Sequence, residues 1–233
     1  MSTKVVFRKT SLVDYPGLVS AVIFFFGCNL RCPWCHNREL VLGVTGGDSG
    51  LTTKAFYTGL EDVLLHIEKR RKVLGGVVLS GGEPTLFGGL DTLIHQIKSL
   101  GLKVKLDTNG MRPDVLEKLF STKETRPDYI AMDLKIAPER YTELLPLNGT
   151  DAAGVGMDAA SFAGEALKRS AGLIRAAGIS HEFRSLSLPA PWFTETDKTA
   201  LAPLAGDSPW FIRPFVPGNC LDPVWNNRGI ERY

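Results

Sequence analysis

Val19-Ser20-Ala21-Val22-Ile23-Phe24-Phe25-Phe26 runs directly into Gly27-Cys28-Asn29-Leu30-Arg31-Cys32-Pro33-Trp34-Cys35-His36-Asn37. The first part is almost wholly apolar, β-branched or aromatic. A run so short and so apolar fits a strand covered on both faces, as in a parallel sheet. It is too short to cross a bilayer. The loop that follows carries three of the chain's four cysteines, spaced C-x3-C-x2-C. A tight loop with this spacing can turn three sulfurs toward one point. Thiolates are soft ligands that suit iron–sulfur clusters or zinc. A cubane has four irons, so three cysteines leave one iron without a protein ligand. An open coordination position separates a reactive metal site from a closed structural one.

Three other readings of the loop compete. Cys32-Pro33-Trp34-Cys35-His36 matches C-x-x-C-H, the pattern of c-type haem attachment. That reading requires export and leaves Cys28 unexplained. Three cysteines plus His36 make a Cys3His zinc set, but adjacent residues are poorly placed as two ligands of one tetrahedral ion. An electron-transfer ferredoxin normally supplies four cysteines per cluster.

The chain has 233 residues, 44% hydrophobic and 22% charged, with a formal net charge of +2. That size supports a substantial core. The charge gives no bulk electrostatic case for nucleic acid or a membrane surface. Lys69-Arg70-Arg71-Lys72 reads as the solvated end of a helix. Met1-Ser2-Thr3-Lys4-Val5-Val6-Phe7 lacks the apolar core of a signal peptide, and clustered thiols suit a reducing compartment, so a cytoplasmic location is expected. Cys220, alone, reads as a small buried hydrophobe. His66, His95 and His181 read as structural or surface residues.

Strand and helix patterns alternate along the chain. Residues 1–18 read as a strand and a turn at Val13-Asp14-Tyr15-Pro16-Gly17. Residues 43–50 read as a glycine-rich excursion. Thr52 or Thr53 is expected to cap a helix whose face is Phe56, Leu60, Val63, Leu64 and Ile67. Strands follow at Gly76–Ser80, Leu102–Leu106, Tyr129–Met132, within Ile179–Leu188, and at Trp210–Arg213. Helices are expected from Leu90 to Leu100, stopped by Gly101; from Pro113; from about Ser161 to Ala177, ending at Gly178; and near Thr194 to Ala205. Residues 146–160 read as a loop. About six β-α units predict an α/β fold: a parallel sheet with right-handed crossovers, a partial, open barrel rather than the closed eight-unit form. One domain is expected over residues 1–233.

Each polar cluster stands just after a predicted strand: the cysteine loop, Gly81-Gly82-Glu83, Asp107-Thr108-Asn109, and Asp133 with Lys135. Arg184 lies within the fifth strand. In parallel α/β folds the carboxyl ends of the strands form one ligand-binding mouth. Two glycines let backbone approach a ligand closely, with Glu83 supplying charge or fixing the loop. Asp107-Thr108-Asn109-Gly110 is equally a plain turn. Asp133 and Lys135 share one face of an extended segment. Arg184 is either a ligand fork or a partner in an ordinary ion pair.

The cysteine loop resembles that of the radical S-adenosylmethionine (radical SAM) enzymes. Phe26-Gly27-Cys28 and Cys35-His36-Asn37 narrow the likeness to glycyl-radical-enzyme activating proteins, closest to that of anaerobic ribonucleotide reductase. The resemblance implies a 4Fe-4S cluster on Cys28, Cys32 and Cys35, with S-adenosylmethionine on its fourth iron. It implies cofactor contacts from Trp34, Gly81, Gly82, Glu83, Asp107, Asn109, Asp133, Lys135 and Arg184. Gly81-Gly82-Glu83 would take the methionyl amino group, and Lys135 the carboxylate. In related activating enzymes a monovalent cation is held by residues matching Asp107, Thr108 and Asp133. The implied activity is reductive cleavage of the cofactor and generation of a glycyl radical on a partner enzyme. A low-potential donor such as flavodoxin or ferredoxin would supply the electron. Radical SAM chemistry on another target, and a non-catalytic electron-transfer protein, stay open.

Overall fold

A computed structural model describes residues 3–43, 57–146 and 159–227. Positions 44–50 of the expected excursion, the Thr52 or Thr53 cap, Phe56, and positions 147–158 of the loop expected over 146–160 lie outside the described residues; 159 and 160 already belong to a helix. The chain divides into two compact units. One comprises Met1–Cys28, Glu39–Thr108 and Glu117–Ile130; the other comprises Asn29–Arg38, Asn109–Leu116 and Ala131–Tyr233.

In the first unit the apolar run becomes β2 (Ser20–Phe25), which pairs with β1 (Lys4–Ser11) on one side. On its other side lies β4 (Gly76–Gly81), parallel and in the register Val22↔Val78 and Ile23↔Leu79. β5 (Lys103–Thr108) continues the parallel set, with Leu79 opposite Leu106. Val22, Ile23, Val78, Leu79 and Leu106 are all at most 1% exposed, so both faces of these strands are buried. Burying one such side chain contributes about 1.5–3 kcal/mol.

Two features depart from the sequence expectation. β1 pairs antiparallel to β2, and β3 (Tyr57–Gly59) antiparallel to β1. The connection from β1 to β2 is too short for a crossover, so the chain can only turn back on itself. The helix expected from the low fifties instead starts after β3, as α2 (Leu60–Arg70). Gly59 stands at its N-cap in an extended conformation, without a side-chain cap. α3 (Leu90–Ser99) packs Leu90, Leu93, Ile94 and Ile97 inward.

The second unit holds β7 (Ser180–Ser187) paired parallel to β8 (Trp210–Pro214), with α5 (Ala159–Ala176) and α6 (Glu195–Ala205). Thr194 caps α6 through a reciprocal capping box with Asp197. Short elements that carry no clear periodicity escaped sequence reading: α1 (Arg38–Leu42) and 3-10 segments at Pro84–Leu86, Pro138–Leu144 and Pro223–Asn227. α4 (Pro113–Phe120) and β6 (Tyr129–Asp133) cross the division between the units.

In hydrogen-bonded order the strands run β3-β1-β2-β4-β5-β6-β7-β8. The two ends are not neighbours, so the mostly parallel sheet is not closed, as expected. Among the described residues no helix is long and apolar enough to cross a membrane.

Candidate cofactor site

The glycine pair and its glutamate lie in the first unit, where β4 ends beside β2. Gly81 has φ +115°, a conformation that disfavours any side chain, and a Cβ there would stand 2.5 Å from the Phe25 nitrogen. At Gly82 a Cβ would stand 1.8 Å from the Gly27 carbonyl oxygen. That closeness is used: Gly82 N–H donates to the Phe25 carbonyl and Glu83 N–H to the Gly27 carbonyl, both at 2.9 Å. The Gly-Gly-Glu turn is thereby fastened to the residues that immediately precede Cys28.

Glu83 is 2% exposed. Its Oε1 accepts from the Thr85 amide (3.1 Å), the Thr85 hydroxyl (2.6 Å) and the Thr108 hydroxyl (2.8 Å). Of the two roles open to it in the sequence, the geometry displays loop fixing. Asp107, two residues beyond Lys105 on β5, is ion-paired with that lysine at 2.5 Å.

The second unit carries most of the cysteine loop. Cys28, Cys32, Cys35 and Cys220 are all free thiols. Cys35 N–H donates to the Cys32 carbonyl at 3.0 Å, closing a tight turn between them. Asn109 is buried, and its amide nitrogen donates to the Asn29 side chain at 2.8 Å. Its own oxygen accepts from Met111 N–H at 3.0 Å. Trp34 is 4% exposed, with its ring centroid 5.2 Å from Trp192 and 5.5 Å from Trp225.

The chain returns to this loop near its other end. Leu221 N–H donates to the Cys35 carbonyl (2.8 Å) and Asp222 N–H to the Pro33 carbonyl (2.9 Å). His36 stacks on Phe215, and its Nε2 lies 2.9 Å from the Val216 carbonyl oxygen. The imidazole weighed as a zinc ligand is thus tied to the 215–222 segment. Cys220 is fully buried, with its N–H donating to Gly218 and Asn226.

Asp133 and Lys135 sit at and beyond the end of β6, bonded to β7 through Leu134 N–H to the Arg184 carbonyl at 2.8 Å. Arg184 reaches Asp133 Oδ1 with two nitrogens, each at 2.9 Å. Lys135 Nζ meets Oδ2 at 3.3 Å. Burial alone would raise the Asp133 pKa, but the charges of Arg184 and Lys135 more than reverse this and hold it at about 2. Burial works against the Lys135 ammonium, and Asp133, aided by the Cys32 and Cys35 sulfurs, raises its pKa all the same. Burial pushes the Cys35 thiol up, while the Asn37 amide and Lys135 pull it down. Asp133, Lys135 and Arg184, with Trp34, Ser185 and Arg213, line a cleft of about 250 Å³.

Among the described residues no three His, Cys, Asp or Glu side chains gather as they would around a single metal ion. A cubane is wider than one ion, and each thiolate binds a different iron, so its ligands need not meet at one point. Soft thiols outside any disulfide, with the Lys135 charge acting on Cys32 and Cys35, suit such a cluster. Sequence reading missed Lys105, Tyr141, Trp192, Trp225 and the 215–222 segment. For Lys105 a signal existed: it stands at i−2 from Asp107 and so shares its face of the strand. Tyr141, whose hydroxyl accepts from Lys135 N–H at 3.0 Å, gave none.

Comparison with known proteins adds to this geometry. The radical SAM superfamily profile matches residues 22–180. An inferred glycyl-radical enzyme activating enzyme of Methanocaldococcus jannaschii is 35% identical over 136 residues, 58% of this chain and 51% of that protein. A pyruvate formate-lyase-activating enzyme of Listeria monocytogenes is 33% identical over 140 residues, 57% of this chain and 53% of its own length. A 7-carboxy-7-deazaguanine synthase of Methanopyrus kandleri is 32% identical over 111 residues, 43% of this chain and 44% of its own. This chain therefore spans about half the length of the curated relatives it matches. A radical SAM methyltransferase from Sphaerobacter thermophilus shares the fold at TM-score 0.55 and 16% identity, covering 86% of this chain and 56% of that one. With the profile running from β2 into β7, the chain belongs to the radical SAM superfamily, whose cofactors are a 4Fe-4S cluster and S-adenosylmethionine.

Proposed function

We propose that this chain is a radical SAM activating enzyme that generates a glycyl radical on a partner, with anaerobic ribonucleotide reductase as that partner. The observation that carries the reading is the set of three cysteines at C-x3-C-x2-C, none of them in a disulfide, two of which interact electrostatically with the Lys135 ammonium. The likeness to two activating enzymes supports the reaction class. When bound, the cluster and S-adenosylmethionine supply reductive carbon–sulfur cleavage and a hydrogen-abstracting radical.

The chain's own residues bind and orient. Cys28, Cys32 and Cys35 are the proposed cluster ligands. Gly81, Gly82, Glu83, Asp107 and Asn109, with Trp34, Asp133, Lys135 and Arg184, are the proposed cofactor contacts. Lys135 and Arg184 bring two positive charges against the one carboxylate of Asp133, a surplus that favours an anionic carboxylate. A glycine target fits because it has no side chain and can enter a narrow site. Flavodoxin or ferredoxin is the proposed electron donor, and the cytoplasm the proposed location. The family profile draws on both units, which supports one catalytic domain over residues 1–233.

A second reading rests on the 7-carboxy-7-deazaguanine synthase likeness: the same chemistry on a small molecule. Anaerobic reconstitution with iron and sulfide, then dithionite and S-adenosylmethionine, tests both. 5′-Deoxyadenosine together with a glycyl EPR doublet on mixing with the reductase supports the activase. Turnover without a doublet on any glycyl radical enzyme favours the small-molecule reading. A cluster that forms and yields no 5′-deoxyadenosine would leave only electron transfer.

A further inference from the structure

Lys105 lies in the middle of β5, between Val104 and Leu106, and its side chain is 4% exposed. An ammonium buried this far is unfavourable unless a counter-charge meets it. Its Nζ lies 2.5 Å from Asp107 Oδ1 and 5.9 Å from the centroid of the Tyr129 ring, so a carboxylate and an aromatic face both receive it. Asp107 is one of the residues at which the resemblance implies a monovalent cation. An alkali ion there would share the carboxylate with a positive charge already in contact. Thr108, the next expected ligand, is a neutral hydroxyl that donates to Glu83 and brings no charge for a cation. Asp133, in the other unit, has Arg184 on one oxygen and Lys135 on the other. Both carboxylates expected at the cation are thus met by cationic side chains of their own unit, and the residues present do not fit an added alkali ion.

The geometry points to Lys105 as a built-in counter-ion: its ammonium neutralises Asp107 in place of a monovalent metal cation, and the chain needs none. Lys105 is a positioning residue, acting through Asp107. Lysine suits the task because it is a compact point charge on a stem long enough to reach from i to i+2 along a strand. The inference goes beyond the proposed activity and does not depend on the identity of the partner.

Its test uses the full chain without cluster or cofactor, so failure of the activase reading leaves it intact. Thermal unfolding is followed in potassium, sodium and tetramethylammonium chloride at equal ionic strength. The wild-type midpoint is expected to be the same in all three, and thallium(I) NMR to show no saturable site. Lys105→Met, which keeps the stem and removes the charge, is expected to melt lower in tetramethylammonium and to recover, saturably, in potassium. Lys105→Arg is expected to stay insensitive to the cation. A saturable potassium or thallium response in the wild type overturns the inference. So does a Lys105→Met loss that is equal in all three salts, which would make the lysine an ordinary packing element. Should Lys105→Met fail to fold, the wild-type titration alone decides.

Discussion

Replacing Gly82 with alanine probes the most constrained contact in the first unit. Gly82 does not have a positive φ, so an alanine backbone is allowed there and the whole effect is steric. The new Cβ would stand 1.8 Å from the Gly27 oxygen and 2.7 Å from its carbon. Ordinary contact begins near 3.4 Å, so the carbonyl must retreat by 3.4 − 1.8 = 1.6 Å. Both partners are backbone, and no rotamer change can absorb the overlap. The retreat breaks the Glu83 N–H to Gly27 bond and strains the Gly82 N–H to Phe25 bond, each 2.9 Å long. Two such bonds contribute about 1 kcal/mol each. Overpacking adds about 1–3 kcal/mol. The expected loss is about 3–5 kcal/mol, a large part of a domain's usual ~5–15 kcal/mol. Gly88→Ala is the control, since a Cβ there meets nothing within 4 Å, and it is expected to stay within about 0.5 kcal/mol of wild type. Urea unfolding of the cluster-free protein measures both, and iron content after reconstitution reports the effect on the Gly27–Cys28 approach. A Gly82→Ala protein as stable and as iron-loaded as Gly88→Ala would refute the reasoning.

Other outcomes follow from the second unit. Asp197, 1% exposed, accepts from Ala137 N–H (2.8 Å), Thr194 N–H (2.8 Å) and Arg140 (3.1 Å); Asp197→Ala should cost about 3–5 kcal/mol in urea unfolding, because it removes the N3 half of the capping box and strands buried donors. Trp225→Ala should cost about 3–5 kcal/mol and lower iron retention, since Trp225 is 1% exposed and packs on Trp34 in the cysteine loop, to which Leu221 and Asp222 are hydrogen-bonded. Acid should destabilise the protein. Asp133 and Asp197 both have depressed pKa values, burial being outweighed by Arg184 and Lys135 for one and by amide donors, Thr194 and Arg140 for the other. A depressed carboxylate stabilises fully above its unfolded pKa of about 3.9, and that contribution is lost as pH falls further. For Asp133 the loss runs down through about 2. Unfolding free energy measured from pH 6 to 2 should therefore hold until about pH 4 and then drop, and a rise below pH 4 would contradict the ion-pair assignments.

What could be read ahead of the structure depended on how local its cause is. The β2 strand was legible because its residues are apolar on both faces, a property of eight consecutive positions. Gly101 and Gly178 end their helices with φ +81° and +66°, and both stood out as stops. The helix near Thr194 was legible, but its reciprocal cap with Asp197 was seen only in the structure. Tyr57–Gly59 spelled nothing, because three residues have no period, and its pairing with β1 depends on a partner more than fifty positions back. The cysteines were legible from their spacing and the other polar clusters from their place after successive strands, but the roles given to those clusters came through resemblance; Asp107-Thr108-Asn109-Gly110 by itself has the composition of any turn. The tie between His36 and Val216 joins positions 180 apart, in a proline-rich region whose local pattern says only where the chain bends.

The proposed cofactor contacts share a property that bears on how they would work. Glu83 is held by Thr85 and Thr108, Asn109 by Asn29, and Asp133 by Arg184 and Lys135. Each side chain is ordered by a protein partner before any ligand arrives. A ligand that meets ordered groups loses less of its binding free energy to freezing them. Order of this kind could also block binding, if every charge were already cancelled. In the second unit it is not. Lys135 and Arg184 carry two positive charges against the single charge of Asp133, and Arg213 adds another cation on the same cleft. The pair and the fork can therefore keep their mutual geometry and still present net positive charge. Asp133 then acts as the post that aims two cations rather than as a contact that must be surrendered. On this view Asp133→Asn should weaken S-adenosylmethionine binding even though it makes the cleft more positive, because Lys135 and Arg184 lose the anion that orients them. A purely electrostatic cleft would bind the cofactor carboxylate more tightly in that variant, and equilibrium dialysis of the reconstituted protein distinguishes the two signs.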